Sequence, residues 1–204
     1  MMCTCTFLVP GIVMMLVLYS GVWAGTGCIE DIDNGVMNQV LIAPISRGAV
    51  VAGQLGMQLV IGLIQSMMVL GIGYLGGARY SGGLRGIALA LTASALLAAI
   101  FCAGSIALAL TTRSQIALIG LSQTIVLPAT FLSSAMMAPA LVPGWVRSIA
   151  AYNPVSWAVD IGRSGLADST DWDFVAWHLL FLAGFAALAF WWSVAAFRNY
   201  QRTL

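Results

Sequence analysis

Charged positions cut this chain into long apolar blocks. No charge falls between Phe7 and Ile29, and 31 uncharged residues separate Arg47 from Arg79. A further 27 separate Arg85 from Arg113, 33 separate Arg113 from Arg147, and 24 separate Asp173 from Arg198. A helix needs about 20 mainly apolar residues to cross the hydrocarbon core of a bilayer, so each block holds one crossing. The blocks predict spans near residues 7–28, 50–77, 86–111, 115–135 and 174–197. None shows the two-residue alternation of a membrane strand. The expected fold is an all-α polytopic membrane protein, about five transmembrane helices forming one domain over 1–204.

The 33-residue block is cut by Pro128, Pro139 and Pro143, and "APALVPGW" cannot continue a regular helix. The fourth span therefore ends near Ala135, and residues 136–173 form a segment outside the hydrocarbon. Within it, "NPVSWAVDIGRSGL" starts a short helix. Asn153 suits the N-cap and Pro154 the first helical position, while Asp160 and Arg163 stand one turn apart. With Trp157, this reads as an amphipathic helix at the membrane surface. "DSTDWD" links it to the last span, which opens on the interfacial aromatics Trp172, Phe174 and Trp177.

The most polar stretch is "EDIDNGVMNQVLIAPISRG", residues 30–48. Glu30, Asp31 and Asp33 are three of the seven acids in the chain. "DNG" is a turn signal. Val36, Met37, Val40 and Leu41 then recur at helical spacing, Pro44 ends that run, and Ser46 is placed to cap the next helix. The expected loop over 29–47 is a turn, a two-turn amphipathic helix, a break, then a long membrane helix. Its apolar stripe needs a cover. Anionic headgroups repel the acids, so a protein partner suits it better than a lipid surface.

Composition agrees with a lipid solvent. The chain is 61% hydrophobic and 7% charged, against about 25% charged in soluble domains, and mean hydropathy is +0.98. A net charge of +1 argues against nucleic-acid binding. There is no lysine, which removes the Walker A nucleotide loop and Schiff-base chemistry from this chain. Cys3, Cys5, Cys28 and Cys102 form no CxxC pair, so no metal site is expected. Gln54, Gln58 and Gln65 share one face of the second span and point into the bundle or a dimer seam, either lining a substrate route or joining helices. The glycines of that span, among them Gly53, Gly56, Gly62, Gly71 and Gly73, permit close helix approach. His178 reads as a packed polar residue. Ser105 in "CAGSIA" lacks the glycine-serine pattern of an intramembrane nucleophile. An ion-coupled secondary transporter would want acids buried mid-span, and no block contains one. Topology is not decided by charge: five spans put Arg47, Arg113, Arg198 and Arg202 on one side and Arg79, Arg85, Arg147 and Arg163 on the other.

The stretch "IEDIDNGVMNQVLIAPISRGAVVAGQ" resembles the first cytoplasmic loop of ABC-2 type transporter permeases, whose pattern is E-D-x-x-x-G-x-x-x-x-L-x-x-P-x-S-R with a glycine six residues on. Glu30, Asp31, Gly35, Leu41 (one place off some members' spacing), Pro44, Ser46, Arg47 and Gly53 occupy those places. "FLVPGIV" is similar to the start of the second membrane helix of that family. "FLSSAMMAPALVPGWVRSIAAYNPVSWAVDIGRSGL" resembles its signature before the last helix, with Pro143, Trp145, Arg147, Asn153, Pro154 and Asp160 in matching places. The variant is similar to daunorubicin-resistance-type drug exporters of actinobacteria. The resemblance implies a non-enzymatic permease that docks on a separate ATP-binding cassette subunit holding ATP and Mg, pairs with a second permease copy, and exports a hydrophobic drug or lipid-like compound across a bacterial plasma membrane. Residues 29–47 would be the cytoplasmic coupling loop, and Arg113 and the 198–202 tail would share its side. Residues 136–173 would be extracellular and partly re-entrant. The family pattern has a further helix ahead of "FLVPG", where only six residues stand here. A five-span variant, a truncated product or a shifted start fits that, and a non-transporting assembly subunit remains an alternative role.

Overall fold

A computed structural model describes residues 4–34, 47–134, 144–167 and 171–202, with the side chains of 4–7, 47, 145–147 and 200–202 left out. The order of helices is α1 Thr4–Asp33, α2 Arg47–Leu75, α3 Gly83–Thr112, α4 Gln115–Phe131, α5 Gly144–Ala150, α6 Pro154–Leu166 and α7 Trp172–Arg202. The described residues contain no strand. Helices α1, α2, α3 and α7 are long and apolar enough to cross a membrane. The fifth expected span, α4, is an apolar helix of 17 residues, about 25 Å at 1.5 Å per residue. That is just under the roughly 30 Å hydrocarbon thickness. Pro128 lies in its last turn, and the Leu132 amide closes that turn on the Pro128 carbonyl at 2.9 Å. The helix stops at Phe131 rather than near 135.

Helix α3 is the hub. It packs against α1, α2, α4, α6 and α7, because nearly every face of it is built from small residues. Ala90, Ala93, Ala98, Cys102, Ala103, Ala107 and Ala109 are all buried. In lipid no hydrophobic effect drives helix association, so contact area and backbone proximity must supply it. Small side chains give both. Helices α2 and α7 instead show much of their surface outward, with Met57, Val60, Ile64, Met67, Leu188 and Trp191 exposed.

Two crossings are tight enough to exclude any side chain. At the α1/α3 crossing, a Cβ on Gly25 would lie 2.3 Å from Ser105 Oγ and 2.7 Å from its carbonyl oxygen. Gly21, one turn earlier, approaches the Ala98 carbonyl and the Cys102 amide. At the α3/α6 crossing, a Cβ on either Gly82 or Gly86 would lie 1.9 Å from the Gly165 carbonyl oxygen. Of the α2 glycines, Gly62 meets Val17 and Ala98, and Gly73 meets Tyr80 and Val9, whereas Gly53, Gly56 and Gly71 face open space. The expected close approach on α2 is thus confined to two positions.

Hydroxyls and one amide tie the same seams. Ser105 donates to the Val22 carbonyl and accepts from the Gly25 amide. Both hydrogen-bonding roles of this serine are therefore spent on holding α1. Ser66 and Ser94 meet at 3.1 Å between α2 and α3. The α2–α3 connection closes in a Schellman turn: the Ala78 amide donates to Gly73 O and the Gly77 amide to Tyr74 O. Gly77 takes φ +89, a left-handed conformation costly for a residue with a Cβ.

Candidate functional site

The motif residues fall at two places in the fold. At the first, α1 continues beyond its apolar window to Asp33, because nothing between Ile29 and Asp33 breaks a helix. The Asn34 amide closes the last turn on the Glu30 carbonyl at 2.9 Å. Glu30, Asp31 and Asp33 therefore belong to the end of α1, not to the loop that was expected to begin at 29. Glu30 and Asp33 are exposed and Asp31 half-buried. Carboxylates at a helix C-terminus oppose its macrodipole, so this end carries an unfavourable charge of its own making. Gly35, Val36, Val40, Leu41, Pro44 and the expected cap Ser46 lie outside the described residues. Arg47 is the first residue of α2.

The glutamine face of α2 looks toward α1 over part of its length. Gln58 is buried and donates from Nε2 to Ser20 Oγ at 2.8 Å. Gln54 lies against the Cys28 thiol. Gln65 is half-buried, and its Oε1 has no partner among the described residues. The first two make the α1/α2 seam, which is the helix-joining role.

The second place is the corner where α4, α6 and α7 meet. Asn153 is the N-cap of α6, with its side chain accepting from the Val155 amide at 3.0 Å, and Pro154 is the first helical residue. The Nδ2 of Asn153 donates to the Ala129 carbonyl of α4 at 2.7 Å. One amide thus begins α6 and ties it to the last turn of α4. Ser134 donates to Asp160 Oδ1 at 2.9 Å, and its own amide donates to Ser156 Oγ. Arg163 Nη1 stands 3.8 Å from Asp160 Oδ1. Burial pushes the Asp160 carboxyl above the usual aspartate range, while Ser134, Arg163 and His178 pull the other way. Burial likewise lowers Arg163, opposed by Asp160. His178 Nδ1 lies 2.7 Å from the Phe174 carbonyl, so that nitrogen carries the proton, and the ring packs on Phe174 and edge-on to Trp157. It is a packed residue.

Helix α6 does not lie on the surface. Val155, Ala158, Val159 and Ile161 are fully buried against α1, α3 and α7. Trp157 sits at the edge of that face, donating to the Ala151 carbonyl and touching Phe181 and Phe185. Pro143 lies outside the described residues. Trp145 and Arg147 are on the short α5, without described side chains. Among the described residues, no group of three or more His, Cys, Asp and Glu could hold a metal ion.

These features define a multi-pass helical membrane protein whose charged side chains, among the described residues, stand at or near helix ends and on α6, while the spans carry only uncharged polar groups between helices. The chain belongs to the ABC-2 type transporter membrane family, whose pattern matches residues 3–167. It is 27% identical over 162 residues to the daunorubicin resistance ABC transporter permease protein DrrB1 of Streptomyces coeruleorubidus, a match covering 77% of this chain and 56% of that protein. It is 28% identical over 174 residues to the putative transport permease ycf38 of Porphyra purpurea, covering 82% of this chain and 57% of the relative. The chain spans a little over half the length of the curated relatives it matches. No solved structure matches it.

Proposed function

We propose that the chain is the transmembrane subunit of an ATP-driven exporter that moves a hydrophobic drug or lipid-like compound out of a bacterial cell. Its partners are a separate ATP-binding cassette subunit, which holds ATP and Mg, and a second permease copy. The observation that carries this reading is the acidic end of α1 joined to the family loop pattern. Three carboxylates at the negative pole of a helix cost free energy, and a basic surface on a docked protein would offset that cost. In this reading ATP binding draws the partner subunits together. Residues 29–47 pass the movement to α1 and α2, and the α1/α2 seam of Gln58 and Ser20 makes the two helices move as one piece. Access then switches between the two sides of the membrane. The relative named for daunorubicin resistance supports a hydrophobic cargo, and the exposed apolar faces of α2 and α7 leave room for a second copy and lipid.

Co-purification tests the docking. An ATP-binding cassette subunit encoded beside this gene is expected to be retained by the wild-type chain in mild detergent. The double change Gly35→Pro and Leu41→Asp is expected to reduce retention at least tenfold with the permease still folded. Equal retention by both would remove the loop from the interface.

A further inference from the structure

A cavity of about 410 Å³ opens between α1, α3, α4 and α7. Its wall includes Val22, Phe101, Gly104, Ser122, Leu188 and Trp192. That volume lies within the range of small-molecule pockets, which pair apolar walls with a few placed polar groups. Among the described residues, no charged side chain lines it.

The polar group that stands out is Ser122. Hydroxyls in apolar helices normally bond to a carbonyl three or four residues back. Ser66, Thr111, Thr112, Thr124 and Thr130 do so in this protein. Ser122 does not: its Oγ is buried without any partner among the described residues, and the residue is 5% exposed. An unpaired hydroxyl in an apolar setting is unfavourable. The other serine of the wall, Ser105, already bonds Val22 and Gly25. A second, water-sized cavity of about 10 Å³ adjoins the first, sharing Val22 and Ser122 and adding Gln123 to its wall. The unpartnered polar group therefore lies on the α4 side of the crevice, and the aromatic and aliphatic walls extend away toward α7.

We infer that this crevice binds a neutral amphiphile, with an apolar chain or ring between Phe101, Leu188 and Trp192 and one uncharged hydrogen-bonding head at Ser122 and Gln123. An alcohol, ketone or amide head fits; a carboxylate or ammonium has no counter-charge there. Such a molecule can arrive free or as a bilayer lipid, but an acyl chain alone leaves Ser122 unpaired, which favours the free amphiphile. The exporter reading supplies the purpose of such binding, while the binding itself needs no ATP-binding partner, so the two fail separately.

The test is photolabelling of the purified full chain in phosphatidylcholine nanodiscs. One arm uses 3-azioctanol, and the other a phosphatidylcholine with a diazirine in its acyl chain. Saturable octanol adducts are expected on Val22, Phe101 and Leu188. Ser122→Ala should weaken the apparent affinity roughly three- to tenfold, the value of one hydrogen bond. Gly104→Leu should abolish saturable labelling, since Gly104 lines the crevice and a Cβ there has open space around it for the larger side chain to fill. Octanol labelling that never saturates, or that neither variant changes, overturns the proposal. So does labelling of the crevice by the photolipid that octanol cannot displace, which makes the occupant a bilayer chain.

Discussion

Gly86→Ala is expected to leave little folded protein. The added methyl would sit 1.9 Å from the Gly165 carbonyl oxygen and 2.7 Å from its carbon. Those are backbone atoms, so no rotamer change relieves the overlap, and α6 would have to retreat as a body. That helix delivers Val155, Ala158, Val159 and Ile161 into the core shared by α1, α3 and α7. Overpacking costs about 1–3 kcal/mol when side chains can adjust, and more when backbone must shift. A loss of roughly 3 kcal/mol or more is expected here. Gly104→Ala makes the same chemical change on the same helix, where nothing lies within 4 Å. It should be neutral or slightly stabilising through its better helix propensity. Thermal melting of both variants in detergent measures the difference. Equal midpoints would mean that α3 and α6 do not cross as closely as described.

Asn153→Ala is expected to be the most damaging truncation of a polar side chain. Removing an N-cap costs about 0.5–2 kcal/mol. Here it also strips the Ala129 carbonyl of its donor, and a polar group left unpaired in a protein interior costs about 1–3 kcal/mol. Together these come to roughly 1.5–5 kcal/mol. Asn153→Asp separates the two parts. A carboxylate still accepts from the Val155 amide, as an N-cap should, but it turns an oxygen toward Ala129 O. If the bridge to α4 matters, Asp will recover only part of the stability lost with Ala, as read by denaturant or thermal unfolding. Full rescue by Asp would reduce Asn153 to a cap alone.

The cap of α6 was readable in the sequence because N-caps are local: Asn153, Pro154 and the next turn settle it among themselves. The second bond of Asn153, to Ala129 of another helix, was not, since no spacing rule joins positions 24 apart. Four of the five expected spans return as helices long and apolar enough to cross, since uninterrupted apolar length decides them, and the fifth, α4, is shorter. Their ends were less readable. Helix α1 runs on into its acids because a span boundary marks lipid, not the end of hydrogen bonding. Helix α4 stops four residues early, at Phe131, although the residues up to Ala135 are uncharged.

Glycine was where pattern and packing parted. The glycine-rich α2 drew attention, yet the decisive contacts are Gly25 on Ser105 and Gly165 on Gly82 and Gly86. "GVWAG" and "GGLRG" spell the four-residue spacing of close-packing helices, but that spacing is common in membrane chains, and only the facing helix tells which instance is used. Ser105 illustrates the same point. Its surroundings look like a weak serine-nucleophile motif, but in the fold its hydroxyl is a rivet between α1 and α3. The expectation for α6 placed an amphipathic helix at the membrane surface, whereas its apolar face packs against α1, α3 and α7.

The proposed export cycle turns on residues 29–47 gripping a nucleotide-hydrolysing partner. The most direct measurement places photoreactive p-benzoylphenylalanine at position 41 and irradiates membranes that also contain the ATP-binding cassette subunit. A covalent product with that subunit, diminished when the acids Glu30, Asp31 and Asp33 are replaced by their amides, is the predicted result. Cross-links to lipid alone, with position 41 reachable only from the membrane face opposite the ATP-binding subunit, would contradict it.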